Sequence, residues 1–144
     1  MVKSRISWMI LVALAIFPMA APCQSDQRIP LDLRDQSQEE IGAVFSQQLK
    51  ALVKNSTRFR LAKENEPNIT ITVGTEPAGS EFLCAYAVIW TTTIKTAKGS
   101  LLVYLDYWVG VMSAAHAFKD AEDILDFTNK TIVERFRDLS GQGQ

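Results

Sequence analysis

The hydrophobic pattern of the chain is dominated by the segment from Glu81 to Gly110. Two long runs of apolar and β-branched residues lie there on either side of a short polar loop at 95–100. Such runs, joined by a loop that contains glycine, predict a β-hairpin. We expect Ile94 to lie opposite Leu101, because this register separates the side chains of the hairpin into two distinct faces.

One face of the predicted hairpin is almost wholly apolar and must be covered by other elements. Its members are Tyr86, Val88, Trp90, Val103, Leu105 and Tyr107. The other face is mixed, and part of it stays open to solvent. Its candidate binding residues are Thr91, Tyr104, Asp106 and Trp108.

Two segments carry apolar residues at helical spacing, one on each side of the predicted strands. The first begins at Ser37, which forms a capping box with Glu40, and ends at Asn55. The second runs over residues 115–139, with its acidic residues in the first half and its basic residues in the second. That order of charges suits the helix dipole.

Two shorter alternating segments, 58–61 and 69–73, predict two more strands, followed by a loop at 74–80. The predicted fold class is therefore α+β, a two-layer α/β sandwich of order α-β-β-β-β-α. Its four-stranded sheet is mainly antiparallel, and both helices cover one face.

The predicted domain comprises residues 36–140. An extended N-terminal arm, 23–35, precedes it, because Pro30 prevents an early helix there. Residues 141–144 are predicted to be a disordered tail.

The N-terminus has the pattern of a secretory signal peptide, with two basic residues, the apolar run 6–17 and then small residues. That run is shorter than the roughly 20 residues of a transmembrane helix, so an uncleaved membrane anchor is the weaker alternative. We predict a signal peptide at 1–22, with cleavage after Ala20, Ala21 or Cys23. The mature chain is then exported, periplasmic or secreted, without a membrane span.

The two cysteines do not form a disulfide framework. Cys23 is retained, lipidated or bonded to Cys84, depending on the cleavage site, and Pro22 fits a lipidation signal poorly. Cys84 lies in an apolar strand, so we expect it to be a small buried residue.

The charge of the chain argues against nucleic acid as a partner. It has 15 basic and 16 acidic residues, a formal net charge of −1. Without the two basic residues of the signal peptide the net charge is near −3, whereas nucleic-acid-binding domains are basic.

No set of residues predicts catalysis, a metal site or a cofactor. His116 is the only histidine, and Asp120 four residues later would complete only half of a metal site. Asp106, between aromatic residues on the open face, is the most informative acid. It either recognises a small ligand or is a charge that keeps a half-open sheet from aggregating.

A short motif suggests a family resemblance. The sequence Ser56-Thr57-Arg58-Phe59-Arg60-Leu61 follows an amphipathic helix, and the alternating strand 68–73 comes next. With its hairpin ending in a strand rich in tyrosine and tryptophan, the chain resembles small bacterial exported proteins. Residues 39–73 also resemble the start of the N-terminal domain of TolB-like and CsgG-like envelope proteins. That resemblance implies a mixed α/β layer that acts in binding or assembly, without catalytic residues.

The sequence therefore predicts a small, exported, non-enzymatic protein. We expect it to be a protein-interaction or envelope-assembly module that binds a protein partner or a second copy through the open sheet face or an edge strand. The alternative is a small-ligand-binding or hydrolytic domain that uses the open face around Asp106.

Overall fold

The computed structural model describes residues 27–141, with no side-chain description for Ser140 and Gly141. The signal peptide, Cys23 and residues 142–144 lie outside the described residues. The described strands are β1 (Ile29–Asp35), β2 (Phe59–Leu61), β3 (Ile69–Ser80), β4 (Leu83–Thr96) and β5 (Gly99–Met112). The described helices are α1 (Glu40–Asn55), α2 (Ala117–Phe127) and α3 (Val133–Gly141), with a π-helical turn at Thr128–Ile132 between the last two.

The five strands form one mixed sheet in the order β2-β1-β3-β4-β5. β1 is parallel to both β2 and β3, whereas the β3–β4 and β4–β5 pairs are antiparallel. The prediction of an α+β fold is confirmed, but the four-stranded, mainly antiparallel sheet is wrong. The fifth strand is β1, which lies in the segment predicted to be an extended arm.

Alternating apolar side chains explain why this arm joins the sheet. Leu31 is completely buried, and Ile29 and Leu33 pack against the core from the same face. Pro30 is tolerated because β3 pairs with β1 only from Leu31 onwards, so no ladder bond to β3 is lost at the proline.

β3 continues to Ser80 and so replaces the loop predicted at 74–80. Beyond Val73 the strand pairs only with β4, because β1 has ended. Pro77 is tolerated in this segment because its nitrogen, which has no N–H, faces the side on which β1 has ended and no ladder hydrogen bond is lost. The register shift between Pro77 and Ser80 marks the irregular end of this pairing.

Both helical segments cover one face of the sheet. From α1, the ring of Phe45 packs against Tyr86 of β4, with the ring centroids 5.6 Å apart. From the C-terminal segment, Thr128 accepts a hydrogen bond of 2.8 Å from the indole Nε1 of Trp90. Trp90 lies on the same face of β4 as Tyr86, four residues further along the strand. Trp90 and Phe45 are both fully buried, so the centre of the core lies between β4 and the helices.

The first turn of α1 differs from the predicted capping box. The helix begins at Glu40, and Glu39 caps it without a side-chain hydrogen bond. The backbone N–H of Ser37 instead donates to Oδ1 of Asp35 at 2.8 Å, which directs the chain from β1 towards α1. The predicted end at Asn55 is confirmed.

Gly42 gives α1 its close approach to the sheet. A Cβ atom at this position would lie against Thr75 Oγ1 and 2.7 Å from Ser37 Cβ. We expect Gly42→Ala to lower the free energy of unfolding by about 1–3 kcal/mol, since overpacking outweighs the gain in helix propensity. Urea denaturation followed by circular dichroism measures this loss. Gly74→Ala is the matched control, because no atom lies within 4 Å of its added Cβ; an equal loss in both variants would contradict the packing argument.

Candidate functional site

The register of the β4–β5 hairpin decides which side chains reach solvent. Near the turn it follows the prediction, with Ile94 opposite Leu101 and Thr92 opposite Val103. The pairing then shifts by one residue, because Thr91 lies opposite Tyr104 whereas Trp90 lies opposite Asp106. Leu105 is thus the extra residue of a β-bulge.

The bulge is held by the last helix. Nη1 of Arg135 donates to the carbonyl oxygen of Leu105 at 2.7 Å and lies 2.9 Å from Oδ2 of Asp106. The side chain of Leu105 is 5% exposed and adds to the core. At the bulge, Arg135 therefore binds both the carbonyl oxygen of Leu105 and the carboxylate of Asp106, while the Leu105 side chain is buried in the core.

The face assignment of β5 consequently reverses beyond Leu105, and the prediction is wrong there. Asp106 and Trp108 turn towards the helices, where the Trp108 ring makes an edge contact with Phe127 at 5.2 Å between centroids. Tyr107, predicted to be buried, is 61% exposed. Of the four predicted site residues, Tyr104 and Thr91 share the open face, and Asp106 and Trp108 lie on the other side.

We call the side of β4 and β5 that faces away from the helices the open face. Seven large apolar or aromatic side chains lie there, each between 40% and 68% exposed. They are Leu83, Ile89, Leu102, Tyr104, Tyr107, Val109 and Val111. Cross-strand pairing makes this row continuous, since Ile89 lies opposite Tyr107 and Ala87 opposite Val109.

The apolar character ends at β3. Open-face positions on the first and third strands are polar, including Thr72, Glu76 and the ion pair between Arg34 and Asp32 at 2.9 Å. The sheet thus presents an apolar half, β4 and β5, beside a polar half. Exposed apolar side chains on this side of the sheet are therefore confined to β4 and β5, which makes their open face a distinct surface.

Charges mark the two ends of the open face. Lys95 and Lys98 lie at the β4–β5 turn. At the opposite end, Glu76 is exposed on β3 opposite Ala85, and Glu81 lies in the β3–β4 turn. Between these ends, loss of hydration and then the nearby Asp106 carboxylate raise the pKa of the Tyr104 phenol.

A concavity lies on the helix side of the molecule. It has a volume of about 1020 Å³ and is bounded by the start of α1, the tip of the β3–β4 hairpin and residues 113–115. Ile41, Val44 and Phe82 give it an apolar wall, and Glu39, Glu40 and Glu81 contribute acidic groups. The groove is separate from the predicted site residues.

The remaining candidates have structural surroundings. The Cys84 thiol is fully buried on the covered face, as predicted, and burial raises its pKa. Nδ1 of His116 lies 2.9 Å from Ser113 Oγ. Within residues 27–141 no cluster of three or more histidine, cysteine, aspartate or glutamate side chains is arranged to hold a metal ion. No helix in that range is long and apolar enough to cross a membrane.

Comparison with known proteins identifies no family. No family matches the chain, and no characterised protein matches its sequence. A structural similarity exists to the rare lipoprotein B from Shewanella oneidensis, at 12% identity and a TM-score of 0.29, over 73% of this chain and 97% of that one. The resemblance to TolB-like and CsgG-like proteins stays a prediction.

Proposed function

We propose that this protein is a protein-interaction module that binds its partner through the open face of β4 and β5. The observation that carries the proposal is the continuous row of seven exposed apolar and aromatic side chains on that face. The exported location predicted from the N-terminal pattern, periplasmic or secreted, belongs to this proposal.

The size of the apolar row supports an interface. Together the seven side chains leave on the order of 700 Å² of surface uncovered, more than the roughly 300–600 Å² of the largest apolar patch on a typical monomer. Tyrosine is also enriched at the centres of protein interfaces. Tyr104 and Tyr107 are 56% and 61% exposed here, so their rings are available to a partner.

The face is a better candidate than the edge of the sheet. No described strand pairs with the outer side of β5, and an edge of this kind is where a partner strand would add to the sheet. The bulge at Leu105 interrupts this edge at its middle, however, and Arg135 occupies the Leu105 carbonyl. Bulges of this kind protect edge strands from pairing with other chains.

The position of the Asp106 carboxylate argues against the alternative of a small-ligand-binding or hydrolytic domain. It requires the Asp106 carboxylate to point into the open face, next to Tyr104 and Trp108. The carboxylate instead pairs with Arg135 and accepts a hydrogen bond from the Tyr107 backbone N–H at 2.8 Å. The Asp106 carboxylate, bound by Arg135 and by the backbone of the next residue, therefore stabilises the bulge.

Site-specific photo-crosslinking tests the proposed function. A benzophenone amino acid replaces Val109, at the centre of the open face, in the full chain expressed in cells. We expect a defined protein adduct after irradiation, and mass spectrometry identifies the crosslinked chain. The matched control replaces Phe118, which is 48% exposed but lies on α2, away from the open face. No adduct at Val109, or the same adduct at Phe118, would contradict the proposal.

A further inference from the structure

We propose that the partner of the open face is a second copy of this chain. The two copies pack open face against open face, with their β4 strands antiparallel and a twofold axis passing beside Tyr107 and Ile89. This inference rests on the proposed function, because it uses the same surface.

The area of the open face fits a dimer. A standard protein–protein interface buries about 800 Å² on each partner. The apolar row supplies on the order of 700 Å² of this, and the surrounding threonines, among them Thr91 and Thr93, add a polar rim. Two sheets that pack in this way lie about 10 Å apart, with their strands rotated by about 30°.

A twofold interface must be complementary to itself, and the charges on the open face meet this condition in one orientation. Ile89 is opposite Tyr107, near the middle of the apolar row. Lys95 lies six residues from Ile89 in one direction along β4. Ala85, which is opposite Glu76 of β3, lies four residues from Ile89 in the other direction. An axis perpendicular to the strands therefore brings the lysine end of each copy to the glutamate end of the other.

The same charges disfavour the other face-to-face arrangement. A twofold axis along the strands would leave both copies running in the same direction. The lysine ends of the two copies, with Lys95 and Lys98, would then lie together, and both copies of Glu76 would lie at the other end. Like charges at both ends reduce the stability of that arrangement, so the charge pattern selects the antiparallel one.

Charge exchange between the two ends tests both the partner and the orientation. Lys95→Glu, Glu76→Lys and the double variant are prepared as full chains, and multi-angle light scattering gives their dimer dissociation constants. We expect each single variant to dimerise about tenfold more weakly than wild type, because two rim contacts become repulsive. The double variant should regain wild-type affinity. Lys50→Glu, an exposed position on α1, is the control and should change nothing.

Two results would overturn the inference. One is that the wild-type protein stays monomeric at concentrations up to about 100 µM. The other is a double variant that dimerises no better than the single variants. If the purified wild-type protein stays monomeric while the Val109 crosslinker captures a different protein, the partner is not a second copy of the chain, and the proposed function stands. If the chain stays single and Val109 gives no adduct, both proposals fail.

Discussion

Tyr107→Lys is expected to weaken self-association by at least about 100-fold, the largest functional effect we foresee. Tyr107 lies next to the proposed twofold axis, so each dimer would lose two aromatic side chains from the centre of its interface. The substitution would also bring the two introduced ammonium groups together at the desolvated centre of the interface, where no opposite charge is available. Because Tyr107 is 61% exposed in the single chain, the substitution removes little core packing.

Two companion variants separate this effect from unfolding. Tyr107→Glu should be equally defective alone, yet an equimolar mixture of the lysine and glutamate variants should form a heterodimer, since the charges on the axis become opposite. Phe118→Lys introduces the same charge at another exposed apolar position and should dimerise like wild type. Light scattering on each sample gives the result. Failure of the mixture to associate would mean that Tyr107 does not meet its own counterpart.

Trp90→Ala is expected to lower the free energy of unfolding by about 3–5 kcal/mol, the largest effect on stability. The Trp90 side chain is fully buried, and its ring lies 5.1 Å from that of Phe127. Its indole N–H donates to Thr128 Oγ1, which in turn donates to the Ile124 carbonyl at 2.7 Å. Alanine would leave a cavity and would remove the hydrogen bond that the Thr128 hydroxyl accepts at the start of the π-helical turn.

Thr128→Val isolates the polar part of this contact. It keeps the volume of the residue but removes the acceptor of the indole N–H, so we expect a loss of about 1–3 kcal/mol. Urea denaturation followed by far-ultraviolet circular dichroism measures both variants. A loss in Trp90→Ala no larger than that in Thr128→Val would show that the tryptophan ring contributes little to packing.

The sequence is informative about elements whose signal is local. The spacing of apolar residues in α1 and the strict alternation of 69–73 lead directly to a helix and a strand. β1 shows the limit of this reasoning, because Ile29, Leu31 and Leu33 do alternate, but the nearby proline is the stronger local signal. β1 is stabilised by contacts with residues distant in sequence, namely its pairing with two parallel strands and the burial of Leu31 in the core.

The candidate site was harder to predict, because the one extra residue of the bulge, Leu105, reverses the faces on which the following side chains of β5 lie. The predicted register is correct from Ile94 to Thr92, and a regular hairpin would continue with Trp90 opposite Leu105. The alternation of β5 contains no sign of the bulge, since Leu105 is apolar and fits the covered face in either register. The determinant is Arg135, thirty residues away, whose guanidinium binds the bulged carbonyl and the neighbouring carboxylate.

The distance between the β4–β5 turns of two copies distinguishes the antiparallel dimer from the other arrangements. Nitroxide labels attached to Ala97→Cys, an exposed and uncharged position in the turn, report this distance by double electron–electron resonance in a Cys23→Ser background. The native Cys84 is fully buried and does not compete for the label. In the antiparallel dimer the two turns lie at opposite ends. We therefore expect one distance of about 50 Å, from seven residues of strand on each side of the axis and the turns beyond. A distance below about 20 Å, or no coupling between chains, would contradict it.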